Sequence, residues 1–102
     1  MLLPATVLGI DGAIGSTYNV NGIRTKQIFE LAKNSKIVEA LEIQHTTNNL
    51  IEGILSNGLY QTIKEILKLE GVDAGYCRKP MKKISQEQVE FAKELQKKFF
   101  KN

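Results

Sequence analysis

Apolar residues recur at helical spacing along most of the chain, and two stretches break the pattern. "LLPATVLG" reads as one or two helical turns. Pro4 is tolerated there only in a first turn, because it lacks an N–H and crowds the turn before it. Gly9 and Gly12 then bracket a tight turn. In "NGIRTKQIFELAKNS", Ile28, Leu31 and Ala32 share a face, and Asn34 closes the helix. Ser35 suits the N-cap of the next segment, since its hydroxyl can accept from an orphan backbone N–H. That segment, "KIVEALEIQHTTNNLIEGILSNG", is the longest helix. Its expected stripe is Ile37, Leu41, Leu50, Ile51, Ile54 and Leu55, and Gly58 supplies a left-handed stop. "YQTIKEILKLEG" is a further helix, stopped by Gly71. The last helix has Ser85 as cap, Gln88 at the reciprocal capping-box position, and Val89, Ala92, Leu95 and Phe99 as its stripe.

The first break is "DGAIGSTYN", Asp11 to Asn19. Its "AIGS" part, Ala13 to Ser16, is too short for a helix and is expected to be a brief buried strand. A strand must pair to satisfy its backbone N–H and C=O groups, and no second strand pattern accompanies it. The second break, "VDAGYCRKPMKK", is a loop, because Pro80 forbids easy helix continuation.

Composition narrows the function classes. With 102 residues, the chain has the length of one small domain. A net charge of +3, with no basic stripe interleaved with aromatics, gives no reason to expect nucleic acid. No apolar run approaches the ~18 residues of a membrane span, so no membrane partner is expected. No basic leader precedes the first apolar residues, so a secretory signal is not expected. The single cysteine, Cys77, excludes an internal disulfide framework and fits a reducing, cytoplasmic compartment.

"LGIDGAIGSTYNVNGIRTKQIFELAKNSKIVEALEIQHTTNNLIEGIL" and "NGLYQTIKEILKLEGVDAGYCRKPM" together resemble the N-acetylneuraminate lyase (sialic acid aldolase) branch of the dihydrodipicolinate synthase superfamily. The "GSTYN" and "CRKP" blocks carry most of that specificity. The resemblance implies an α/β fold, the (β/α)8 barrel, of which this mostly α chain looks like the C-terminal third. Residues 1–34 look like the last part of helix seven, strand eight and helix eight, and residues 35–102 like a C-terminal helical extension. On this reading Gly15 leaves room at the barrel mouth. Ser16 points its hydroxyl at the hydroxylated tail of the sugar acid, and is the one substrate-binding residue expected here. The activity implied is reversible aldol cleavage of N-acetylneuraminate to N-acetylmannosamine and pyruvate through a lysine Schiff base, with no cofactor and no metal. No catalytic residue is expected in this chain: Lys26, Lys33 and Lys36 fall on or beside helices, and Lys82 and Lys83 on a loop. The family assembles as homotetramers. Ile28, Leu31 and the Leu2 to Leu8 segment are expected to be partly uncovered without a barrel sheet, which favours self-association of the isolated chain. The competing readings are another pyruvate-dependent aldolase or synthase of the same superfamily, and a non-catalytic helical module.

Other residues invite sharper readings than they support. Tyr18 is read as a packed ring rather than a proton-transfer group. His45, with no Cys, Asp or second His beside it, is a poor metal ligand and is read as structural or interfacial. "HTTNN" is read as a solvated face, with a polar subunit contact as the alternative. Cys77, between Tyr76 and the cations Arg78 and Lys79, is read as an ordinary thiol, and Lys64 and Arg78 as surface or helix-terminus charges.

Overall fold

The computed structural model describes residues 1–100. Among the described residues there are five helices and no strand: α1 (Leu2–Val7), α2 (Tyr18–Lys33), α3 (Ile37–Ser56), α4 (Leu59–Leu69) and α5 (Gln86–Phe99). The chain divides into two units, Met1–Asn49 and Leu50–Asn102, with α3 contributing to both.

In the first unit α1 packs on α2. Leu2, Leu3, Ile28, Ala32 and Ala40 form the buried cluster, with Ile10, Phe29, Leu31 and Ile43 against it. Ile28 and the start of α1 are therefore covered, where they were expected to be partly uncovered. They cover each other, because α1 is long enough to bury Leu2 and Leu3 on one side. The end of the Leu2 to Leu8 segment is uncovered as expected, with Leu8 87% exposed and Val7 more than half exposed, and Ile14 (99%), Ile23 (80%) and Val38 are also among the apolar residues left to water.

The α2–α3 junction also differs from expectation. Ser35 has φ 61, the left-handed region, and lies past the end of α2 rather than at the extended N-cap of α3. Its N–H donates to Ala32 O at 3.1 Å, and the Lys36 N–H donates to Leu31 O at 2.8 Å. That pair of bonds is a Schellman motif, which satisfies carbonyls the helix end would otherwise orphan. The same pair closes α4, where Gly71 (φ 98) donates to Lys68 O and Val72 to Leu67 O. At Gly71 the left-handed turn falls on a residue with no Cβ to strain.

The inward face of α3 keeps Leu50 and Ile54 of the expected stripe and departs from it elsewhere. Ile37, Leu41 and Leu55 are exposed, while Ala40, Gln44 and Thr47 are buried in the first unit, and Leu50 and Ile54 in the second. The spacing of Ala40, Gln44 and Thr47 is helical, but two of the three are polar, so apolar periodicity misses this face.

In the second unit α4 packs on α5, burying Ile63, Ile66, Ala92, Leu95 and Phe99. A methyl built on Gly53 would meet Leu95 Cδ2 at 2.7 Å, so a side chain there displaces the leucine. The 72–84 loop is tied to α4 by Gln61 Nε2 donating to Lys82 O (3.0 Å) and Lys64 Nζ donating to Ala74 O (3.1 Å). The start of α5 carries the expected capping box: Gln88 N–H donates to Ser85 Oγ (3.2 Å), and Ser85 N–H donates to Gln88 Oε1 (2.8 Å). The Gln88 Nε2 also donates to Asn57 O at 2.7 Å. Ser85→Ala is therefore expected to cost about 1 kcal/mol. Gln88→Ala, which gives up both the box and the link to Asn57, should cost clearly more. Urea midpoints of the two variants check the order, and equal midpoints would contradict it.

Candidate functional site

The site expected from the sequence begins at Ala13 to Ser16. This segment is not a strand: Gly12 to Gly15 have no regular structure, and Ala13 and Ile14 are exposed. A ladder needs a neighbour, and no other strand exists among the described residues to supply one.

At Gly15 the chain turns tightly into α2. The N–H groups of Tyr18, Asn19 and Val20 donate to the carbonyls of Gly15, Ser16 and Thr17 at 3.1, 3.2 and 3.2 Å. These are i to i+3 bonds, a 3₁₀-type entry. Thr17, at the N-cap, has helical φ −67 and ψ −19, and its side chain makes no cap bond. The turn is held instead by the side chain of Asn19, whose Nδ2 donates to Ser16 O at 2.8 Å. The Tyr18 ring lies against Gly15: a methyl built there would stand 3.3 Å from Tyr18 Cζ. Gly15 thus makes room for the Tyr18 ring, a packing role that the sequence reading assigned only to substrate access. Ser16 is half-buried, and among the described residues its hydroxyl has no protein partner.

A second set of amides anchors this turn. Asn21 interrupts α2 with φ −119 and ψ 29, separating the Tyr18 turn from the rest of the helix. Its buried side chain donates from Nδ2 to Thr47 Oγ1 (3.2 Å) and accepts from Arg24 Nη1 at Oδ1 (3.1 Å). Its carbonyl accepts from Thr25 Oγ1 at 2.8 Å. Nearby, Gln44 Oε1 accepts from the Leu3 N–H (3.0 Å), one of the donors that the start of α1 leaves orphaned. The Gln44 Nε2 donates to Asn48 Oδ1 (2.9 Å). "HTTNN" is therefore only partly a solvated face: His45, Thr46, Asn48 and Asn49 are exposed, but Thr47 is buried and bonded.

The remaining candidates are not brought to this turn. His45 is exposed, and no three His, Cys, Asp or Glu side chains converge among the described residues. Cys77 lies in the second unit beside a cleft of about 10 Å³ lined by Gln61, Lys64 and Ile84, room for one water at most. Lys83 Nζ sits 4.4 Å above the Tyr76 ring. Each described lysine is exposed or half-buried, Lys64 and Lys93 being the half-buried pair. Asn19 and Asn21, the residues that hold the turn, were not singled out from the sequence. The signal available was two asparagines in "YNVNG", a residue type that bonds nearby backbone in place of helix.

Residues 1–98 match the Dihydrodipicolinate synthetase family. The chain belongs to that family. The N-acetylneuraminate lyase of Fusobacterium nucleatum is 90% identical over 102 residues, the whole of this chain and 35% of the relative. That of Haemophilus influenzae is 70% identical over 100 residues, 97% of this chain and 34% of the relative. The crystal structure of the Fusobacterium nucleatum lyase complexed with pyruvate superposes with a TM-score of 0.95, covering 99% of this chain and 34% of that one. CdNal from Clostridium difficile in complex with mannosamine, 66% identical, superposes with a TM-score of 0.96 over 98% of this chain and 34% of its own. The chain thus spans about a third of the length of these Dihydrodipicolinate synthetase family relatives. The family fold is the (β/α)8 barrel, of which this chain is a mostly helical part.

Thr47 tests the anchor of the turn. Thr47→Val keeps the shape but removes the oxygen, leaving Asn21 Nδ2 buried without that acceptor. The expected loss is about 1–3 kcal/mol of stability. Asn49→Ala, on the exposed side of the same helix, should change stability by less than about 0.5 kcal/mol. Chemical denaturation of both variants measures the contrast, and a Thr47→Val protein as stable as its parent would refute the anchor.

Proposed function

We propose that this chain is the C-terminal part of an N-acetylneuraminate lyase, a class I aldolase that reversibly cleaves N-acetylneuraminate to N-acetylmannosamine and pyruvate. The observation that supports this most is the 90% identity to the Fusobacterium nucleatum lyase across all 102 residues. In that reading residues 1–34 complete a (β/α)8 barrel with the last part of helix seven, strand eight and helix eight. Residues 35–102 form the C-terminal helical extension. The Ala13 to Ser16 segment gains its ladder from neighbouring barrel strands, and the turn that follows lies at the strand's C-terminal end, where barrel enzymes place their active sites. Ser16 then presents its unpartnered hydroxyl to the hydroxylated tail of the sugar acid. The enzyme acts in carbohydrate metabolism in the cytoplasm and assembles as a homotetramer.

The covalent step belongs to a lysine outside these 102 residues. Its amine condenses with the keto carbon of the substrate and releases water. The resulting iminium accepts the electron pair of the breaking carbon–carbon bond. A lysine nucleophile needs an enclosed or cation-rich setting to be neutral near pH 7. The described lysines of this chain, exposed or half-buried, offer no enclosure of that kind.

The 102-residue chain expressed alone should self-associate through Leu8, Ile14 and Ile23, and should not cleave N-acetylneuraminate. Sedimentation with a hydrophobic dye, and borohydride trapping with pyruvate, test these points. A monodisperse monomer that binds no dye contradicts the first, and a pyruvyl-lysine adduct with turnover contradicts the second. With the chain carried in a complete barrel, Ser16→Ala should raise KM for N-acetylneuraminate about fivefold, the equivalent of one net hydrogen bond. Pyruvate trapping should be unchanged, and unchanged cleavage kinetics would remove Ser16 from the site.

A further inference from the structure

The Ser16 carbonyl accepts twice from one residue. The Asn19 N–H reaches it at 3.2 Å, as the turn requires, and Asn19 Nδ2 reaches it at 2.8 Å. The second bond is not part of the helix pattern and is the shorter of the two. An N-cap side chain would accept from the first N–H groups of the helix, and Thr17 makes no such bond, so no hydroxyl or carboxylate at the N-cap fixes this entry. On the other side of Ser16, the chain from Gly12 to Gly15 has no regular structure to hold it. The Gly15 carbonyl accepts from the Tyr18 N–H at 3.1 Å, so the ties on both peptides of Ser16 come from the start of α2, and Asn19 supplies the side-chain one.

We propose that Asn19 is a positioning residue for substrate recognition, acting through Ser16 to aim its hydroxyl at a hydroxyl of a polyhydroxylated keto acid. This rests on the reading of Ser16 as a substrate contact. Asn19 is exposed and its amide is bonded to backbone, so its own role is to hold the peptide. A hydrogen bond to substrate depends steeply on distance and angle, so freeing the peptide has an effect similar to deleting the hydroxyl. The nearly isosteric change Asn19→Asp isolates this role, because a carboxylate keeps the shape but has no N–H to donate.

The test places these 102 residues in the matching third of the Fusobacterium nucleatum lyase and compares Asn19→Ala, Asn19→Asp, Ser16→Ala and the Asn19→Ala/Ser16→Ala double variant. Both Asn19 variants are expected to raise KM for N-acetylneuraminate about fivefold with kcat largely kept. The double variant should be no worse than Ser16→Ala alone, since both changes remove one contact. Borohydride trapping of pyruvate should be unaffected throughout. If Ser16→Ala is harmful while the Asn19 variants are neutral, or the two effects multiply in the double variant, the positioning role is overturned and the Ser16 contact stands. If Ser16→Ala is neutral, the Ser16 contact falls, and this proposal with it. Loss of pyruvate trapping in an Asn19 variant also counts against the proposal, because a residue that only aims Ser16 leaves the covalent step intact.

Discussion

The hydrogen bond from Asn21 Nδ2 to Thr47 Oγ1 is the interaction on which the first unit's turn depends. It joins residues 26 positions apart, and both side chains are buried. A buried amide costs more when left unpaired than it contributes when paired, so such a bond fixes geometry more than it adds stability. Around it, Asn21 also takes the Arg24 guanidinium and the Thr25 hydroxyl, and so can leave helical dihedrals without stranding its own polar groups. The interruption frees the Gly15 to Val20 turn from the register of the rest of α2. The turn then takes its own 3₁₀ bonds and the Asn19 clasp on Ser16. Among the described residues no buried side-chain nitrogen or oxygen lacks a partner.

Much of the helical layout was legible because its signals are local. Ser85 and Gln88 announce a capping box three residues apart, and the structure forms it. Gly71 announces the stop of α4, and the chain leaves the helix there at φ 98. What stayed hidden is non-local. Ser35 looks like a cap when only its own side chain is considered, but the bonds from Ser35 to Ala32 and from Lys36 to Leu31 make it the end of α2. Thr47 was read with "HTTNN" as solvated, and Gln44 drew no reading; their partners, Asn21 and the Leu3 N–H, lie 26 and 41 residues away. The proposed site was placed at "GSTYN" by family resemblance alone. The means by which it is held, two asparagine amides, follow no apolar period and leave no pattern of their own.

The same distinction explains the missing strand. Helices close their backbone bonds within a segment, so α1 to α5 form from this chain's own residues. A strand closes its bonds with a neighbour, and Gly12 to Gly15 have none among the described residues. The exposed Ile14 and the unpartnered Ser16 hydroxyl flank Gly15. The proposed barrel would cover the first and use the second, so one set of missing neighbours accounts for both. Folding and the proposed function meet at this point: the turn that carries Ser16 is formed by these residues, and on the proposed reading the covalent chemistry comes from the rest of the barrel.

The most direct measurement is a crystal structure of this chain carried in a complete family barrel whose Schiff-base lysine has been replaced, soaked with N-acetylneuraminate. Ser16 Oγ is expected within about 3 Å of a hydroxyl on the sugar-acid tail, with Asn19 Nδ2 still on the Ser16 carbonyl. A bound ligand that leaves Ser16 Oγ more than about 4 Å from every polar atom, or a turn in which Ser16 faces away from the barrel mouth, would contradict it.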